Sequence, residues 1–328
     1  MDPHDGPIRW GVAATGGISN SFAEAFTNLD DGTIAAVGSR ARETADAFAA
    51  THGIERAHAS YTDLAADPDV DIVYVGSLHP DHCPSTVAFL EAGKHVLCEK
   101  PLALNAGEAD RMIDAARAND RFLMEALWTR FNPAHVETMR RIADGEIGTV
   151  RRITADFSFA LPPGAEDHRL LAIEKGGGAL LDLGIYPMTL AWWVLGEPAR
   201  IEHVGRVAST GADDEIALLC SWDDGAVALL TCSTAINGSM EARIEGTEGV
   251  VTFPAPAHAS NSATIRRGLE SEEITAEPAS LHHQVVEVHR CLREGRNESP
   301  RMPWATSRAM LARFDEIRAE LGVVYPGE

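Results

Sequence analysis

The stretch Asp71–Gly76 (DIVYVG) is apolar at consecutive positions. A strand with one wet face alternates apolar and polar side chains, whereas a continuously apolar strand is buried on both faces, as inside a parallel sheet. That demand requires helices around the sheet, and the flanking sequence supplies them. Upstream, Ile8–Ala14 and Thr33–Gly38 read as strands. Ser19–Phe26 reads as a helix with Ser19 or Asn20 near its N-cap, and Arg42–Ala50 as a second that stops near Gly53. Downstream, Pro84–Ala92 reads as a helix closed by Gly93, and His95–Cys98 as a strand. Asn105–Asn119 is a helix opened by Asn105 and Glu108 at capping-box spacing, and Arg121–Glu125 is a further strand. Such alternation gives a doubly wound parallel sheet with right-handed crossovers, an α/β domain of the Rossmann type over residues 1–127.

The character changes near Trp128. Val150–Phe159 is a long strand-like run. Ile216–Trp222 and Ala226–Ser233 flank an Asp223-Asp224-Gly225 turn, and Ala242–Glu245 and Val250–Phe253 flank Gly246 to Gly249, so both pairs read as hairpins. Helices are expected around Pro133–Asp144, Leu181–Leu195, His282–Glu294 and Thr306–Leu321. Residues 128–328 therefore read as an α+β domain, a mostly antiparallel open sheet with helices on one face. The uncovered face calls for a second subunit, so a homodimer through this sheet is expected.

Charge narrows the partners. Against 28 Lys+Arg stand 49 Asp+Glu, a formal charge of -21. A surface this acidic repels phosphate backbones and anionic lipid, which argues against nucleic acid and membrane and leaves a small molecule as the natural partner. The opening MDPHDGPIRW lacks the apolar core of a secretory signal, and no uninterrupted apolar run approaches a membrane span. The five cysteines (Cys83, Cys98, Cys220, Cys232, Cys291) are odd in number and form no CxxC, which fits a reduced cytoplasmic protein. His79, His82, Cys83, His95 and Cys98 match no metal-ligand spacing, and His95 and Cys98 on one strand point to opposite faces, so no metal site is expected.

Four motifs carry chemistry. GVAATGGIS leaves the first strand and enters a helix. Gly11 permits a tight turn, and Gly16 or Gly17 lets the backbone approach a pyrophosphate at the helix N-terminus, although Ala13 replaces the middle glycine of the dinucleotide fingerprint. At the end of the second strand stand Gly38-Ser39-Arg40, without the carboxylate that receives the ribose hydroxyls of NAD. A hydroxyl and an arginine there suit the 2′-phosphate of NADP, with Arg42 as a further charge. Glu99-Lys100-Pro101 follows a buried strand, whose C-terminal end faces the ligand crevice of such sheets. Pro101 restricts Lys100 to extended backbone, and a lysine so placed can donate to a substrate oxygen or remain merely solvated. In GGGALLDLGIYP (Gly176–Pro187), Asp182 and Tyr186 share a helix face, and a tyrosine beside an ammonium can act as a general base. Pro187 disturbs the local helix geometry.

Taken together, IRWGVAATGGIS, HVLCEKPLALN, GGGALLDLGIY and ARIEGTEGVVTF resemble the Gfo/Idh/MocA oxidoreductases nearly end to end. LMEALWTRFNPA, GGGALLDLGIYP and RMPWATSRAMLARFDEIRAELGVVYP are most similar to the NADP-dependent dihydrodiol and D-xylose dehydrogenase branch of that family. The resemblance implies an NAD(P)-dependent dehydrogenase acting on CH–OH groups, with NADP as cofactor and a sugar, polyol or trans-dihydrodiol as substrate. It implies that Thr15, Gly16, Gly17 and Ile18 hold the pyrophosphate and that Ser39 and Arg40 take the adenosine phosphate. Ser77, Leu78, His79 and His82 would border the nicotinamide ribose, with Glu99 and Lys100 beside the ring. Tyr186 falls at the family's catalytic His or Tyr, supported by Asp182. Trp128, Arg130 and Arg169 would line the mouth, Arg169 also serving the cofactor. His282 stands on the substrate side, where relatives often carry an aromatic residue. An inositol dehydrogenase, an anhydrosugar reductase or a non-enzymatic cofactor-sensing regulator would share much of this pattern.

Overall fold

The structure is a computed structural model that describes residues 6–328. The reading of the first five residues, part of the segment judged not to be a secretory signal, lies outside them. The chain forms two compact units. The first runs to Trp128 and resumes over Ser280–Ala312; the second holds Thr129–Ala279 and Arg313–Glu328.

In the first unit, β1 (Ile8–Ala13), α1 (Gly17–Ala25), β2 (Gly32–Gly38), α2 (Arg42–His52), β3 (Arg56–His58) and α3 (Tyr61–Ala66) lead into β4 (Ile72–Val75). Then follow α4 (His79–Glu91), β5 (His95–Glu99), α5 (Ala106–Ala118) and β6 (Leu123–Ala126). The six strands are parallel, in the order β3-β2-β1-β4-β5-β6. Every residue of β4 is buried, as a strand covered on both faces must be. Phe22 of α1 stacks on Tyr74 of β4 at 3.7 Å between ring centroids. Burying each such large side chain contributes about 1.5–3 kcal/mol.

Several boundaries differ from the sequence reading, each for a local reason. α1 starts at Gly17, with extended Gly16 as N-cap, so neither Ser19 nor Asn20 caps it. Asn20 instead donates its side-chain amide to the Gly16 carbonyl, at 2.9 Å. α4 starts at His79 rather than Pro84. Pro80 occupies the first turn, where no amide needs a partner, and the helix absorbs Pro84 in its interior. The last strand begins at Leu123 because the Arg121 amide is spent on the Ala116 carbonyl, at 3.0 Å, and the Phe122 amide on His95 Nδ1, at 2.9 Å. β3 and α3 are too short to register as periodicity; Ser60 caps α3 by accepting from the Asp63 amide. Gly53 closes α2 in the left-handed conformation, as expected.

The second unit opens with α6 (Pro133–Ala143), capped by Asn132, and β7 (Val150–Ser158). A π-helical turn over Leu180–Gly184 runs into α7 (Ile185–Leu195). Next come β8 (Arg200–Val207), β9 (Asp213–Ser221), β10 (Val227–Ser233), β11 (Ala242–Gly246), β12 (Val250–Phe253), β13 (Ser262–Arg267) and β14 (Glu270–Thr275). The sheet order is β14-β13-β12-β11-β7-β10-β9-β8, antiparallel except for the β7–β10 pair. The β9–β10 hairpin pairs Leu219 with Leu229 around the expected turn. Ile153, Ile216, Leu218, Ala228, Leu230, Ile244 and Val251 point inward, where α7 packs on β7 and β10. Val204, Leu219 and Leu229 lie on the other face, 77%, 46% and 47% exposed. β8, β13 and β14 escaped the sequence reading because charged residues break their apolar pattern; in β14 only Ile274 is buried.

Among the described residues one helical stretch, Ile173–Leu195, is by length and composition apolar enough to cross a membrane, and 83% of its most apolar 18-residue window is buried inside the protein. Glu174, Lys175 and Asp182 interrupt the stretch, so it is not an uninterrupted apolar run. The hydropathy serves a core. Helices α8 (His282–Arg293) and α9 (Trp304–Leu321) complete the chain.

Candidate active site

In the first unit the candidate cofactor residues gather at the C-terminal ends of β1, β2, β4 and β5. The strand order reverses between β1 and β4, the place where open α/β sheets receive ligands. Gly11 lies within β1, not at its turn. A Cβ there would stand 3.0 Å from Val70 and 3.1 Å from Leu64, so this glycine serves close packing, which corrects the turn role expected of it. The backbone turns instead at Ala14, whose φ is +86° and whose amide donates to the Gly38 carbonyl.

Gly16 and Gly17 face open space: a Cβ on either would meet nothing within 4 Å. Together with half-buried Thr15 and exposed Ile18 they leave the start of α1 accessible. Two hydroxyls nearby, Ser19 Oγ and Ser77 Oγ, are buried and have no protein partner among the described residues. Gly76 lies against the first of them, where a Cβ would come within 2.5 Å of Ser19 Oγ. A backbone free to approach, a helix N-terminus and unsatisfied hydroxyls fit a diphosphate. Ser39 is buried, its hydroxyl 2.6 Å from that of Thr44. Arg40 is 74% exposed and reaches Asp81 at 3.3 Å. Arg42 is committed elsewhere, to Asp46 and the Ala57 carbonyl. Leu78 is the N-cap of α4, and His79 is buried in its first turn.

The turn after β5 is held by polar side chains. The Glu99 carboxylate accepts from Tyr74 Oη at 2.6 Å and from the Lys100 amide at 3.2 Å. His82 is fully buried, with Nδ1 2.8 Å from the Pro101 carbonyl oxygen and Nε2 3.1 Å from that of Ser77. A neutral imidazole donates through only one nitrogen, and burial holds the His82 pKa below its ordinary value. His82 is thus bound into the backbone around Lys100. The Leu102 amide donates to Glu125 Oε1 at 2.9 Å. Sequence reading missed Glu125, although a lone carboxylate in the apolar run LMEAL was a visible signal. Trp128 belongs to this unit and is half-buried; the ring of His282, also here, lies tilted against that of His283, 3.9 Å between centroids.

In the second unit, Asp182 lies in the π turn and Tyr186 is the second residue of α7. Pro187 cannot donate to the carbonyl one turn back, and the backbone widens just ahead of it. The simple four-residue helical spacing expected for Asp182 and Tyr186 is replaced by this wider turn. Asp182 is buried and accepts from Arg169 Nη1 at 2.5 Å. Tyr186 is buried beside two residues the sequence did not single out. Its ring lies 5.4 Å from Phe157 and 4.8 Å from His258, which themselves stack at 4.1 Å. Neither had a motif to mark it, since strand pairing and a loop bring them there. Thr129 fixes the loop by donating to the His258 carbonyl. Arg130 lies over the Trp193 ring at 4.4 Å.

Comparison with known proteins agrees with both halves of this picture. Residues 8–127 match the model of an oxidoreductase family with an NAD-binding Rossmann fold, and residues 135–252 match the GFO/IDH/MocA C-terminal domain. The chain is 38% identical to trans-1,2-dihydrobenzene-1,2-diol dehydrogenase of Danio rerio, covering 97% of this chain and 98% of that one. Among solved structures it is similar to an aldose-aldose oxidoreductase from Caulobacter crescentus complexed with glycerol, at TM-score 0.85 and 26% identity over 96% and 98% of the two chains. It is also similar to a 3-ketoreductase from Actinomadura kijaniata in complex with NADP and TDP-benzene, at TM-score 0.82 and 26% identity over 95% and 97%. With a parallel nucleotide-binding sheet, a mixed second sheet and full-length relatives that are dehydrogenases, the chain belongs to the Gfo/Idh/MocA oxidoreductases and is a nicotinamide-dependent enzyme.

Proposed function

We propose that the protein is an NADP-dependent dehydrogenase acting on the carbinol carbon of a sugar, polyol or trans-dihydrodiol. The observation that carries this reading is Lys100, on a turn tied down on three sides at the ligand-facing edge of the first sheet. The name of the Danio rerio relative supports a diol, and that of the Caulobacter relative a sugar.

Thr15, Gly16, Gly17, Ile18 and Ser77 would hold the diphosphate, with Leu78 and His79 toward the ribose. Ser39 and Arg40 would take the 2′-phosphate, for which Arg40 exchanges its long contact with Asp81. When bound, the nicotinamide supplies or accepts the hydride. Lys100 donates to the reacting oxygen and stabilises the charge that develops as the carbinol loses hydride. Tyr186 takes the hydroxyl proton as general base, supported by Asp182, and Arg169, paired with Asp182, lines the mouth and serves the cofactor. The carbinol thus gives up one hydride and one proton to become a carbonyl: a lactone from an aldose, a catechol after tautomerisation from a dihydrodiol. Trp128, Arg130 and His282 are assigned to substrate.

The same reading makes the enzyme a homodimer through the exposed Val204, Leu219 and Leu229 of the open sheet. Light scattering at micromolar concentration should give twice the mass of one chain, and a monomer mass would contradict it. Five unpaired, buried cysteines accord with a reducing compartment such as the cytoplasm.

The test is turnover of a panel of aldoses, polyols and trans-dihydrodiols with NADP and with NAD. At least one member should be oxidised, and NADP should bind ~10-fold or more tightly than NAD, the scale of one charge-assisted contact. Arg40→Asp should erase or invert the preference. Cofactor binding without turnover of any member would point to a sensor instead.

A further inference from the structure

Lys100 has four titratable neighbours on different elements: Glu99 on β5, His82 on α4, Glu125 on β6 and, beyond Glu99, Tyr74 on β4. Cys98 also reaches the turn, with Sγ 3.7 Å from the Leu102 carbonyl. Of these, Glu125 is the costliest to build. It is 4% exposed and sits in a strand whose other residues are apolar. A carboxylate in such surroundings is unfavourable unless donors hold it, and a leucine would fill the space without that cost.

Two donors hold it. Leu102, two residues past Lys100, gives its amide to Oε1 at 2.9 Å. Ser307 gives its hydroxyl to Oε2 at 2.6 Å. Three residues earlier in the same helix, Trp304 Nε1 donates to the Leu123 carbonyl, at 2.8 Å. The segment 280–312 therefore grips β6 at Leu123 and Glu125, and Glu125 passes that grip to the Lys100 turn. Burial raises the Glu125 pKa, while Ser307, the Leu102 amide and the Lys100 charge pull it back. The Lys100 charge is thus felt at Glu125, and by reciprocity Glu125 is felt at Lys100.

We propose that Glu125 is a positioning residue for Lys100, fixing the Lys100–Leu102 backbone and favouring the charged ammonium, with Ser307 as its anchor. This rests on the reading of Lys100 as the group at the reacting oxygen. A purely structural carboxylate would show in folding alone; a positioning one shows in kcat and in the behaviour of the lysine itself.

The experiment uses the full chain with its cofactor, a substrate from the panel, and the variants Glu125→Gln, Glu125→Ala, Ser307→Ala and Lys100→Met. Glu125→Ala should lose about 10- to 30-fold in kcat, with KM and cofactor affinity changed less than ~3-fold. Glu125→Gln should recover part of the loss, because its amide oxygen still accepts from Leu102, and Ser307→Ala should cost less than either. The second readout needs no turnover: the pH dependence of Lys100 acetylation, followed by peptide mass spectrometry. Without the nearby negative charge the ammonium is less favoured, so the labelling midpoint should fall by about half a pH unit or more in Glu125→Gln. An unchanged midpoint in Glu125→Gln overturns the proposal whatever the rates. Where Lys100→Met is inactive, an unchanged kcat in Glu125→Ala overturns it too. If Glu125→Ala fails to fold, Glu125→Gln carries both readouts. Normal turnover by Lys100→Met would instead remove Lys100 from the chemistry, and the labelling shift would still decide whether Glu125 governs it.

Discussion

The turn that carries Lys100 and the turn that carries Tyr186 are stabilised by different forces. Around Lys100, side chains bind the backbone directly: Glu99 and Glu125 accept amides, and His82 meets a carbonyl. Around Tyr186 packing on the side chain itself is added to a polar tie of the backbone, the Leu180 amide on Asp213. Rings of Phe157 and His258 pack on the tyrosine, and glycines allow close approach in the loop before it. At Gly177 a Cβ would fall 2.8 Å from the Ala172 carbonyl oxygen, and the same loop is tied by Tyr325, which donates to the Gly177 carbonyl at 3.0 Å. The clamps around Lys100 hold main-chain groups of the turn, so they remain when the Lys100 side chain is replaced. Ring packing involves the tyrosine itself, so changing it disturbs its own support.

That contrast gives the two mutations different signatures. Lys100→Met keeps most of the apolar stem and deletes the charge. Turnover should fall by about 10²-fold or more, the scale of one preorganised donor, while cofactor affinity and melting temperature barely move. Tyr186→Phe keeps the ring and its packing but removes the hydroxyl, and should slow turnover by at least ~10-fold. Because both would serve one proton and one oxygen, the double variant should be little worse than the poorer single one. Steady-state kinetics on the substrate found by the panel checks all three. Multiplicative losses would show that the residues act independently, and normal turnover by Lys100→Met would leave the EKP turn as a strand end with a solvated lysine.

The contrast also explains what could be read in the sequence. The first sheet announced itself because its central strands are largely apolar and its helices have glycine or asparagine at their ends; Gly53 and Asn105 behave as their types suggest. Its mistakes came from residues doing unusual work. Gly11 serves packing rather than turning, and Pro84 sits inside a helix. In the second unit the hairpins were legible from Asp223-Asp224-Gly225 and from Gly246 to Gly249, but β8, β13 and β14 were not. β8 and β14 are edge strands, which must look polar, and polar strands carry no period to detect, while β13, inside β14, is broken by Arg266 and Arg267. The site divides in the same way. Lys100 and Tyr186 were visible through neighbours in sequence, whereas Glu125, Phe157 and His258 reach their places through tertiary pairing. Of these only Glu125 left a trace, a charge where the pattern asked for none.

A smaller effect tests how the second turn is held. Asp213 begins β9 and is fully buried; its Oδ2 accepts from the Leu180 amide, at the head of the π turn, at 2.6 Å. Its Oδ1 has no partner among the described residues and lies where a Cβ on Gly178 would come within 2.6 Å. Glu125 has donors on both oxygens and Asp213 on one, so Asp213 suffers more from burial. Burial pushes its pKa up to about 6, with the Leu180 amide and Arg318 opposing and Asp214 adding to the rise. A carboxyl whose folded pKa is raised binds its proton more firmly when folded. Its contribution is therefore complete below the ordinary value of 3.8 and is lost as pH rises through about 6. The loss amounts to at most ~3 kcal/mol, and about 1–2 kcal/mol is reasonable once the site relaxes. Asp213→Asn keeps an oxygen for the Leu180 amide and cannot ionise. Its stability relative to wild type should rise between pH 4.5 and pH 7.5 by that ~1–2 kcal/mol, measured as urea midpoints across the range. Turnover should change only a few-fold, because the tyrosine's ring packing is untouched. Parallel stability curves for the two proteins would show that Asp213 is not ionised at a cost, and that the π turn is held as firmly as the Lys100 turn.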